Sequence, residues 1–348
     1  MNIGIIGAGS IARIHAAAIQ GIEGCRVHSV MARRLEAAQQ LAGEYGAQAF
    51  DDLASCVADP ALDMVTIATP SGAHLGPVSI ALSAGKHVAC EKPLEISTER
   101  IDKMILDAER SGKKLGAILN RRFHPAMEAL MTASDRGRFG RITSASVYVK
   151  WFRDQAYYDS AAWRGTWTLD GGGALMNQSI HGVDALLAVA GPVKWVQAQA
   201  DCMAHTGIEV EDHAVAILGF HNGALGVIEA STSCWTSEGQ PIRLQICGTE
   251  GSAFLADERI ELWDFKNAEP GDELIRRDLM GEAASLGGKD PLAINCLQHR
   301  KNLIEIITAI RESREPSPTL HDARRAVAVI EAVYESSKRG GARVEIRA

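Results

Sequence analysis

Two side chains of the sequence, Lys92 and His181, are of the types that would serve at a carbon bearing a hydroxyl or carbonyl group. Lys92 stands in Glu91-Lys92-Pro93, directly after the strand-like run His87–Cys90. An ammonium group in that place can hydrogen-bond a reacting oxygen and stabilise the negative charge that develops on it. An imidazole such as that of His181 can move the proton of a hydroxyl group. Each residue alone also has a structural interpretation, because Lys-Pro is common in surface turns and helical histidines are common in cores.

His181 belongs to a segment that is predicted to begin as a bare glycine turn and to continue as a helix to about Ala190. The turn is Gly171-Gly172-Gly173. At helical spacing, Asn177, His181 and Asp184 share one face, since they are separated by four and three residues. We expect Asn177 to hold a substrate hydroxyl group, whereas Asp184 either orients the imidazole or caps local structure.

A loop rich in aromatic and arginine side chains precedes the glycine turn. Residues 151–169 contain six of the Phe, Trp and Tyr residues of the chain. Flat aromatic faces suit the C–H faces of sugars, and guanidinium groups suit carboxylates or phosphates. The alternative is a packing plug beneath a sheet. The residues that we predict to bind substrate are Arg122, Trp151, Arg153, Tyr158, Trp163 and Arg164, together with Asn177 and His181.

Gly7-Ala8-Gly9-Ser10-Ile11-Ala12 connects the strand-like run Ile3–Ile6 to a helix-like stretch and has the spacing of a phosphate-binding turn. Gly7 permits a tight turn, Gly9 leaves the backbone open to a pyrophosphate, and Ala12 permits close packing of helix on strand. The N–H groups of the first helical turn then face the anion. We therefore predict dinucleotide binding by Gly7, Gly9, Ser10, Ile11 and Ala12; a tight βα turn without a ligand is the alternative.

The end of the second strand-like run, Val27–Met31, indicates which dinucleotide is bound. An acidic residue there would bind the ribose 2′-hydroxyl group and repel a 2′-phosphate. The sequence instead has Ala32 followed by Arg33 and Arg34, whose guanidinium groups are suited to phosphate. This pattern favours NADP(H) over NAD(H), unless both arginines are simply solvated at a helix start.

The elements that must position these residues follow two different rhythms. Up to about residue 118, short β-rich runs alternate with helix-like stretches, which predicts right-handed crossovers and a doubly wound parallel sheet, a Rossmann domain over residues 1–119. From residue 120 to 348, consecutive strand-like runs with segregated helices predict an α+β domain built on one large, mainly antiparallel open sheet. The fold class is therefore α/β.

Composition excludes several other classes of function. The net charge is −7, so the chain lacks the basic surface of a protein that binds nucleic acid or an anionic membrane. No apolar run reaches the ~18 residues of a membrane span, and no signal peptide is visible. The seven cysteines are scattered, which indicates buried thiols in the cytoplasm. The histidines have no metal-ligand spacing, and we predict no catalytic metal.

Four motifs together resemble the Gfo/Idh/MocA oxidoreductases in their order and spacing over essentially the whole chain. They are Gly7-Ala8-Gly9-Ser10-Ile11-Ala12, Thr69-Pro70-Ser71 with His74, Glu91-Lys92-Pro93, and Gly171-Gly172-Gly173 followed by His181. The resemblance implies hydride transfer between NAD(P)(H) and a sugar, cyclitol or related compound. It implies cofactor contacts by Thr69, Pro70, His74, Glu91 and Lys92, with Lys92 beside substrate and nicotinamide and His181 as general acid/base. It also implies a homo-oligomer, a dimer or tetramer, whose interface is the open sheet.

Asn177 departs from the pattern of the family, in which many members have an aspartate four residues before the histidine. An amide can position a hydroxyl group but cannot accept its proton, so proton transfer falls to His181. The Asn-Gln-x-x-His version is similar to members that act on nucleotide-linked or acidic sugars.

Two other functions remain compatible with the sequence. The same fold could belong to a regulatory protein that binds NAD(P) without turnover, although Lys92 and His181 argue against it. The chain also resembles the NAD-dependent glycosidases of the family, which oxidise their substrate transiently and release sugar with no net change in the cofactor.

Overall fold

The chain forms two units, each built around its own sheet. The computed structural model describes residues 1–281 and 296–346. The first unit comprises Met1–Asn120 and Ile294–Arg324, and the second comprises Arg121–Ala293 and Arg325–Ala348. The predicted boundary at residue 119 lies within one residue of the first break. The prediction that all of residues 120–348 form the second domain differs from this division, because the stretch from 294 to 324 returns to the first unit.

The first unit contains a six-stranded parallel sheet with the strand order β3-β2-β1-β4-β5-β6. β1 carries alternate isoleucines that are fully buried, because helices cover a parallel sheet on both faces. The strands are β1 (Asn2–Ile6), β2 (Arg26–Met31), β3 (Gln48–Phe50), β4 (Met64–Ile67), β5 (His87–Cys90) and β6 (Leu115–Ala117).

Five helices connect these strands, and a sixth comes from the far end of the sequence. They are α1 (Ser10–Gln20), α2 (Leu35–Tyr45), α3 (Leu53–Ala58), α4 (Leu75–Ser83), α5 (Thr98–Ser111) and α10 (Cys296–Arg311). Leu303, Ile306 and Ile307 of α10 belong to the same buried cluster as Ile3 and Ile5 of β1. This apolar face explains why the segment returns to the first unit.

The second unit contains an eight-stranded sheet with the order β13-β12-β11-β7-β10-β9-β8-β14, in which the β7–β10 pair is parallel and the other pairs are antiparallel. Both predicted sheet types are therefore confirmed. Its strands are β7 (Ile142–Lys150), β8 (Val193–Asp201), β9 (His213–Phe220), β10 (Leu225–Ser231), β11 (Arg243–Gly248), β12 (Gly251–Ala256), β13 (Arg259–Phe265) and β14 (Val344–Glu345).

The helices of this part of the chain are α6 (Pro125–Asp135), α7 (Gln155–Asp159), α8 (Ile180–Ala190), α9 (Asp272–Leu279) and α11 (Leu320–Lys338), the last of which begins in the first unit. The stretch 151–169, which we expect to be a loop, contains α7. The stretch Asn267–Asp290, whose proline and paired glycines predict a loop or an insertion, contains α9. The remainder of this second stretch, from residue 282, lies outside the described residues. Among the residues that the structure describes, no helix combines the length and the apolar character that crossing a membrane requires.

Candidate active site

The turn after β1 has the backbone conformation that a phosphate-binding loop needs. Gly7 has a φ of +118°, and a Cβ atom there would lie 2.5 Å from the carbonyl oxygen of Ala68. Only glycine fits this position without strain. Gly9 caps α1 and has open space where a side chain would project. Ala12 is fully buried, as close packing of helix on strand requires.

The start of α1 offers unoccupied hydrogen-bond donors. Among the described residues, no side chain caps the helix, and its first turn contains no acidic residue. The N–H groups of this turn and the positive end of the helix dipole therefore suit the pyrophosphate of a dinucleotide. Gly7, Gly9, Ser10 and Ile11 are the residues that would hold it. Bound there, a nicotinamide dinucleotide supplies the hydride chemistry that no side chain can provide.

Arg33 and Arg34 follow β2 at the same edge of the sheet and are both exposed. In the described residues, neither guanidinium group makes an ion pair or a side-chain hydrogen bond. Both are therefore available to an anionic ligand at the point where the ribose of a dinucleotide is recognised.

Lys92 follows β5, at the carboxyl edge of the parallel sheet, where doubly wound folds bind ligands. Its backbone N–H donates to the Glu91 carboxylate at 3.0 Å, and the Lys92–Pro93 peptide bond is cis. Lys92 is half-buried, whereas Glu91 and Pro93 are buried. The carboxylate of Glu91, predicted to bind cofactor, instead contacts two buried imidazoles, those of His15 and His299.

His74, also predicted to bind cofactor, ties two loops of this edge together. Its Nδ1 atom lies 3.0 Å from the carbonyl oxygen of Pro93, and its Nε2 atom lies 3.0 Å from that of Thr69. The side chain is 1% exposed. Since both ring nitrogens contact backbone oxygens, His74 holds the Thr69-Pro70 loop against the Lys92 turn and has no ring nitrogen left for a ligand.

Glu95 and Arg100 support the same edge, and sequence reasoning missed both. The fully buried Glu95 carboxylate accepts hydrogen bonds from the backbone of Leu75 at 3.2 Å and from the Arg100 guanidinium at 2.7 Å. Arg100 also donates to the carbonyl oxygen of Gly72. A glutamate so close to Glu91-Lys92-Pro93 was the available signal.

In the second unit, the segment that carries Asn177 is not the α-helix that its spacing predicted. Residues Ala174–Ser179 form a π-helical turn, in which the N–H of Gln178 donates to the carbonyl oxygen of Gly173 five residues earlier. Regular α8 begins only at Ile180. Such π turns are wider than α turns and occur frequently at functional sites.

A buried carboxylate that sequence reasoning missed, Glu211, holds the start of this turn. Glu211 accepts hydrogen bonds from the N–H groups of Gly173 (3.1 Å) and Leu175 (2.8 Å) and from the hydroxyl group of Tyr334 (3.0 Å). Burial raises the pKa of Glu211 to about 7, although these donors act in the opposite direction. A Cβ atom on Gly173 would overlap the carbonyl oxygen of Glu211, and one on Gly172 would overlap the Tyr334 hydroxyl group.

Asn177 lies in a chain of polar contacts within the second unit. Its Nδ2 atom donates to Asp170, and its Oδ1 atom accepts from Gln178 at 3.1 Å. Gln178 also donates to the hydroxyl group of Tyr157 at 2.8 Å and accepts from Arg153 at 3.2 Å. Asp170 and Gln178 therefore fix the amide that we predicted to hold a substrate hydroxyl group.

Arg153 and Arg164 both lie against the ring of Tyr157, which belongs to this series of polar contacts. The guanidinium carbons lie 5.5 Å and 4.1 Å from the ring centroid, respectively, and Arg164 donates to the Tyr157 hydroxyl group. Arg164 also stacks on Trp163 at 4.7 Å. These predicted substrate residues are thus close to the predicted catalytic segment.

Trp151 and Tyr158 have the packing role that was the alternative for this loop. Trp151 is 6% exposed and donates its indole N–H to the carbonyl oxygen of Gln240 at 2.8 Å. Tyr158 is 4% exposed, and its hydroxyl group lies 2.8 Å from that of Thr232. The indole N–H of Trp151 and the hydroxyl group of Tyr158 are thus bonded within the protein, and both side chains pack in its interior.

His181 lies in the first turn of α8, one turn before Asp184. The Arg122 guanidinium group donates two hydrogen bonds to the Asp184 carboxylate, of 2.9 and 2.6 Å. The buried Asp184 and the half-buried Arg122 therefore form an ion pair, whereas the sequence predicts a substrate contact for Arg122. His181 also lines a small cavity with His124 and Asp257.

Known proteins match both units of the chain. Residues 1–118 match the family described as "Oxidoreductase family, NAD-binding Rossmann fold", and residues 127–254 match "GFO/IDH/MocA C-terminal domain". The myo-inositol 2-dehydrogenase of Thermotoga maritima is 29% identical over 74% of this chain and 76% of its own. The D-glucoside 3-dehydrogenase of Escherichia coli K12 is 30% identical over 73% and 77%.

The chain is also similar to a solved structure with bound ligands. This is the WlbA dehydrogenase from Bordetella pertussis in complex with NADH and UDP-GlcNAcA, which is 30% identical, with a TM-score of 0.90 over 100% of this chain and 98% of the other.

Proposed function

The chain belongs to the Gfo/Idh/MocA family of NAD-binding oxidoreductases, and from that premise we propose that it transfers a hydride between nicotinamide dinucleotide and the CH–OH carbon of a nucleotide-linked sugar acid. It is a dehydrogenase or reductase of CH–OH groups, as its sugar and inositol relatives are. The acidic substrate is the finer part of the proposal.

The main observation in favour of an acidic substrate is the state of the Arg164 side chain. This half-buried guanidinium group makes no ion pair with a carboxylate in the residues that the structure describes, and its buried Nε–H has no hydrogen-bond partner there. A buried donor without an acceptor is costly, so a ligand oxygen is the expected partner. Arg164 reaches Asn177 through Tyr157 and Gln178. The WlbA dehydrogenase, which binds UDP-GlcNAcA, supports the same class of substrate.

The proposed roles divide one hydride transfer between three side chains. During oxidation, a bound nicotinamide dinucleotide would accept the C–H hydride with its electron pair, and the hydroxyl proton would leave separately. Lys92 hydrogen-bonds the reacting oxygen and stabilises its developing charge. His181 accepts the proton as general base, and Asn177 orients a neighbouring hydroxyl group.

A substrate comparison tests the acidic sugar. UDP-GlcNAcA, its neutral counterpart UDP-GlcNAc, and myo-inositol are each supplied with NAD⁺ and NADP⁺, while the absorbance of the reduced nicotinamide is followed. We expect UDP-GlcNAcA to be preferred and Arg164→Gln to raise its KM by about tenfold or more, without that effect on the neutral sugar. Arg141→Gln, which removes an exposed guanidinium group of the same unit, is the matched control.

Two results would reject this substrate class. One is equal turnover of acidic and neutral sugars by the wild type. The other is a KM that Arg164→Gln and Arg141→Gln change equally. Release of sugar from a glycoside without net reduction of the dinucleotide would instead indicate the glycosidase reaction.

The preference for NADP(H) is a second part of the proposal. It is supported by the exposed Arg33 and Arg34 after β2 and by the absence of an acidic residue at Ala32. We expect replacement of both arginines by alanine to weaken NADPH binding by about tenfold or more, and NADH binding little, because only NADPH carries the 2′-phosphate. Fluorescence titration measures both affinities, with exposed Arg110→Ala as the control. Tighter binding of NADH by the wild type would contradict the preference.

Assembly through the second sheet completes the proposal. Val215 and Ile217 of β9 and Leu225 of β10 are 41%, 51% and 55% exposed, and a second copy of the chain in a dimer or tetramer would cover them. Light scattering of the wild type and Ile217→Asp tests this assembly, and a monomeric wild type would refute it. The proposed compartment is the cytoplasm. It is supported by the seven cysteines, all of which are free thiols and not disulfides.

A further inference from the structure

Three buried residues of the first unit form a cluster around the carboxylate that precedes Lys92. His15 comes from α1, Glu91 from the end of β5, and His299 from α10. They are 0%, 5% and 3% exposed. The Nε2 atoms of His15 and His299 lie 2.8 Å and 3.3 Å from the same carboxylate oxygen, Oε1 of Glu91.

The two carboxylate oxygens of Glu91 have different hydrogen-bond partners. Oε1 faces the two imidazoles, whereas Oε2 accepts the backbone N–H of Lys92 at 3.0 Å. Burial disfavours the charged carboxylate, but the two imidazoles outweigh it and hold the pKa of Glu91 well below its ordinary value. The ionised Glu91 carboxylate is held by the two imidazoles and thus fixes the backbone of Lys92.

His299 and its helix are also held by contacts with the residues that follow β6. The Asn120 side-chain amide donates to Nδ1 of His299 at 3.1 Å. Asn302, one turn further along α10, is fully buried and accepts the backbone N–H of Leu119 at 2.9 Å. These contacts set the position of His299 relative to the end of β6.

A hydrogen-bonded clamp explains the geometry better than a metal ion. Tetrahedral zinc with bonds of about 2.1 Å holds neighbouring donor atoms roughly 3.4 Å apart. The His299–Glu91 separation of 3.3 Å is close to that spacing, but the His15–Glu91 separation of 2.8 Å is too short for it and is that of a direct hydrogen bond to a carboxylate. The described cluster also offers only three ligands, all buried.

We propose that His15 and His299 are positioning residues that hold Lys92 in its reactive place through the Glu91 carboxylate. The inference rests on the catalytic role of Lys92 in the proposed function. A displacement of about 1 Å in a reacting group can reduce turnover by about a hundredfold, so this indirect support has a measurable effect on catalysis.

The test uses pairs of variants in the full-length chain. His15→Leu and His299→Leu remove the nitrogen that faces Glu91, whereas His15→Gln and His299→Gln restore a donor of similar reach. His28→Leu is the matched control, because His28 is a buried histidine of the same unit whose Nε2 lies 2.7 Å from the Asp59 carboxylate. Thermal unfolding identifies variants that fail to fold, and Glu91→Gln then replaces them.

Two independent readouts are followed. Hydrogen exchange of the peptide that contains the Lys92 amide measures how well the Glu91 carboxylate protects that amide, and it needs no substrate. Steady-state kinetics with UDP-GlcNAcA, or with the best substrate of the screen, reports catalysis. We expect the leucine variants to expose the Lys92 amide and to lower kcat by about tenfold to a hundredfold, with KM and dinucleotide affinity within about twofold of wild type. The glutamine variants should recover most of kcat.

The results separate this inference from the proposed function. Unchanged amide exchange in both leucine variants and in Glu91→Gln would overturn the clamp, whatever the substrate is. Faster exchange without loss of kcat would overturn the positioning role. Equal loss of kcat in His28→Leu would also overturn it, because it would indicate general destabilisation. Stoichiometric zinc in the purified protein, with kcat lost on its removal, would replace the clamp with a metal site. Failure of acidic sugars as substrates alone would leave the exchange result intact.

Discussion

In the proposed reaction, one residue of the predicted catalytic segment, residues 174–184, is suited to accept the proton of the reacting hydroxyl group. Asn177 donates through Nδ2 to Asp170 and accepts through Oδ1 from Gln178, and an amide does not take up a proton in the physiological range. Asp184, one turn after His181, is gripped by Arg122. His181 is therefore the residue on this segment whose ordinary chemistry includes accepting a proton near neutral pH.

We expect Lys92→Met and His181→Gln each to lower kcat by about a hundredfold or more, because each removes a group that we propose to act on the reacting oxygen or its proton. Dinucleotide affinity, measured by nicotinamide fluorescence, should remain near that of the wild type. Exposed Lys103→Met and His221→Gln are the matched controls. Wild-type kcat in both active-site variants would contradict the assigned roles.

At the scale of elements, the glycine run and the π turn act as one unit because buried side chains occupy the space around them. Glu211 precedes Asp212 in the loop before β9, and Tyr334 lies on α11, yet both face the Gly172–Gly173 backbone. Glu211 accepts hydrogen bonds from Gly173 and Leu175, and Tyr334 donates to Glu211. These contacts hold the start of the segment that carries Asn177 and His181.

Gly173→Ala should therefore destabilise the protein by about 3 kcal/mol, since its new Cβ atom would overlap the backbone of Glu211. Gly43→Ala is the contrasting control. Gly43 lies within α2 with open space around it, and alanine there should raise stability by about 0.5–1 kcal/mol. Urea unfolding measures both changes. A Gly173→Ala variant as stable as the wild type would refute the steric argument.

Glu211 also predicts a pH dependence of stability. Its pKa is raised to about 7 by burial, so the folded state favours the neutral form, and its stabilising contribution is lost as pH rises from about 4.5 to about 7. Over that range of pH, we expect the free energy of unfolding of Glu211→Gln to rise by about 3 kcal/mol relative to that of the wild type. Exposed Glu23→Gln should show no such gain. Urea unfolding across pH 4–8 tests this, and parallel curves for wild type and Glu211→Gln would exclude it.

At the scale of the whole molecule, the first unit is assembled from two distant stretches of sequence. The side chains of Leu303, Ile306 and Ile307 on α10 complete the core around β1 and α1. A Cβ atom on Gly116 of β6 would collide with Ile306, so helix and strand are closely packed. The N-terminal stretch alone therefore leaves part of its core uncovered.

A chain cut after Asn120 is expected to lack a cooperative unfolding transition and to bind a hydrophobic dye, because the surface that α10 buries is exposed to water. Joining residues 294–324 to it through a flexible linker should restore the transition. Calorimetry and dye fluorescence compare the two. Cooperative unfolding of residues 1–120 alone would show that α10 is dispensable.

The sequence by itself determined the alternation of strands and helices. It also predicted the phosphate-binding turn and the candidate catalytic residues Lys92 and His181, because these patterns depend on residues close together in the chain. It missed the three-residue β3, the small-residue β12 and the two-residue β14, whose patterns are too short or too weakly apolar. Only the tertiary structure decided the partners of the site. The links from Glu91 to His299 and from Gly173 to Glu211 join residues far apart in sequence, and a pairing of that kind depends on how the elements pack, not on local periodicity.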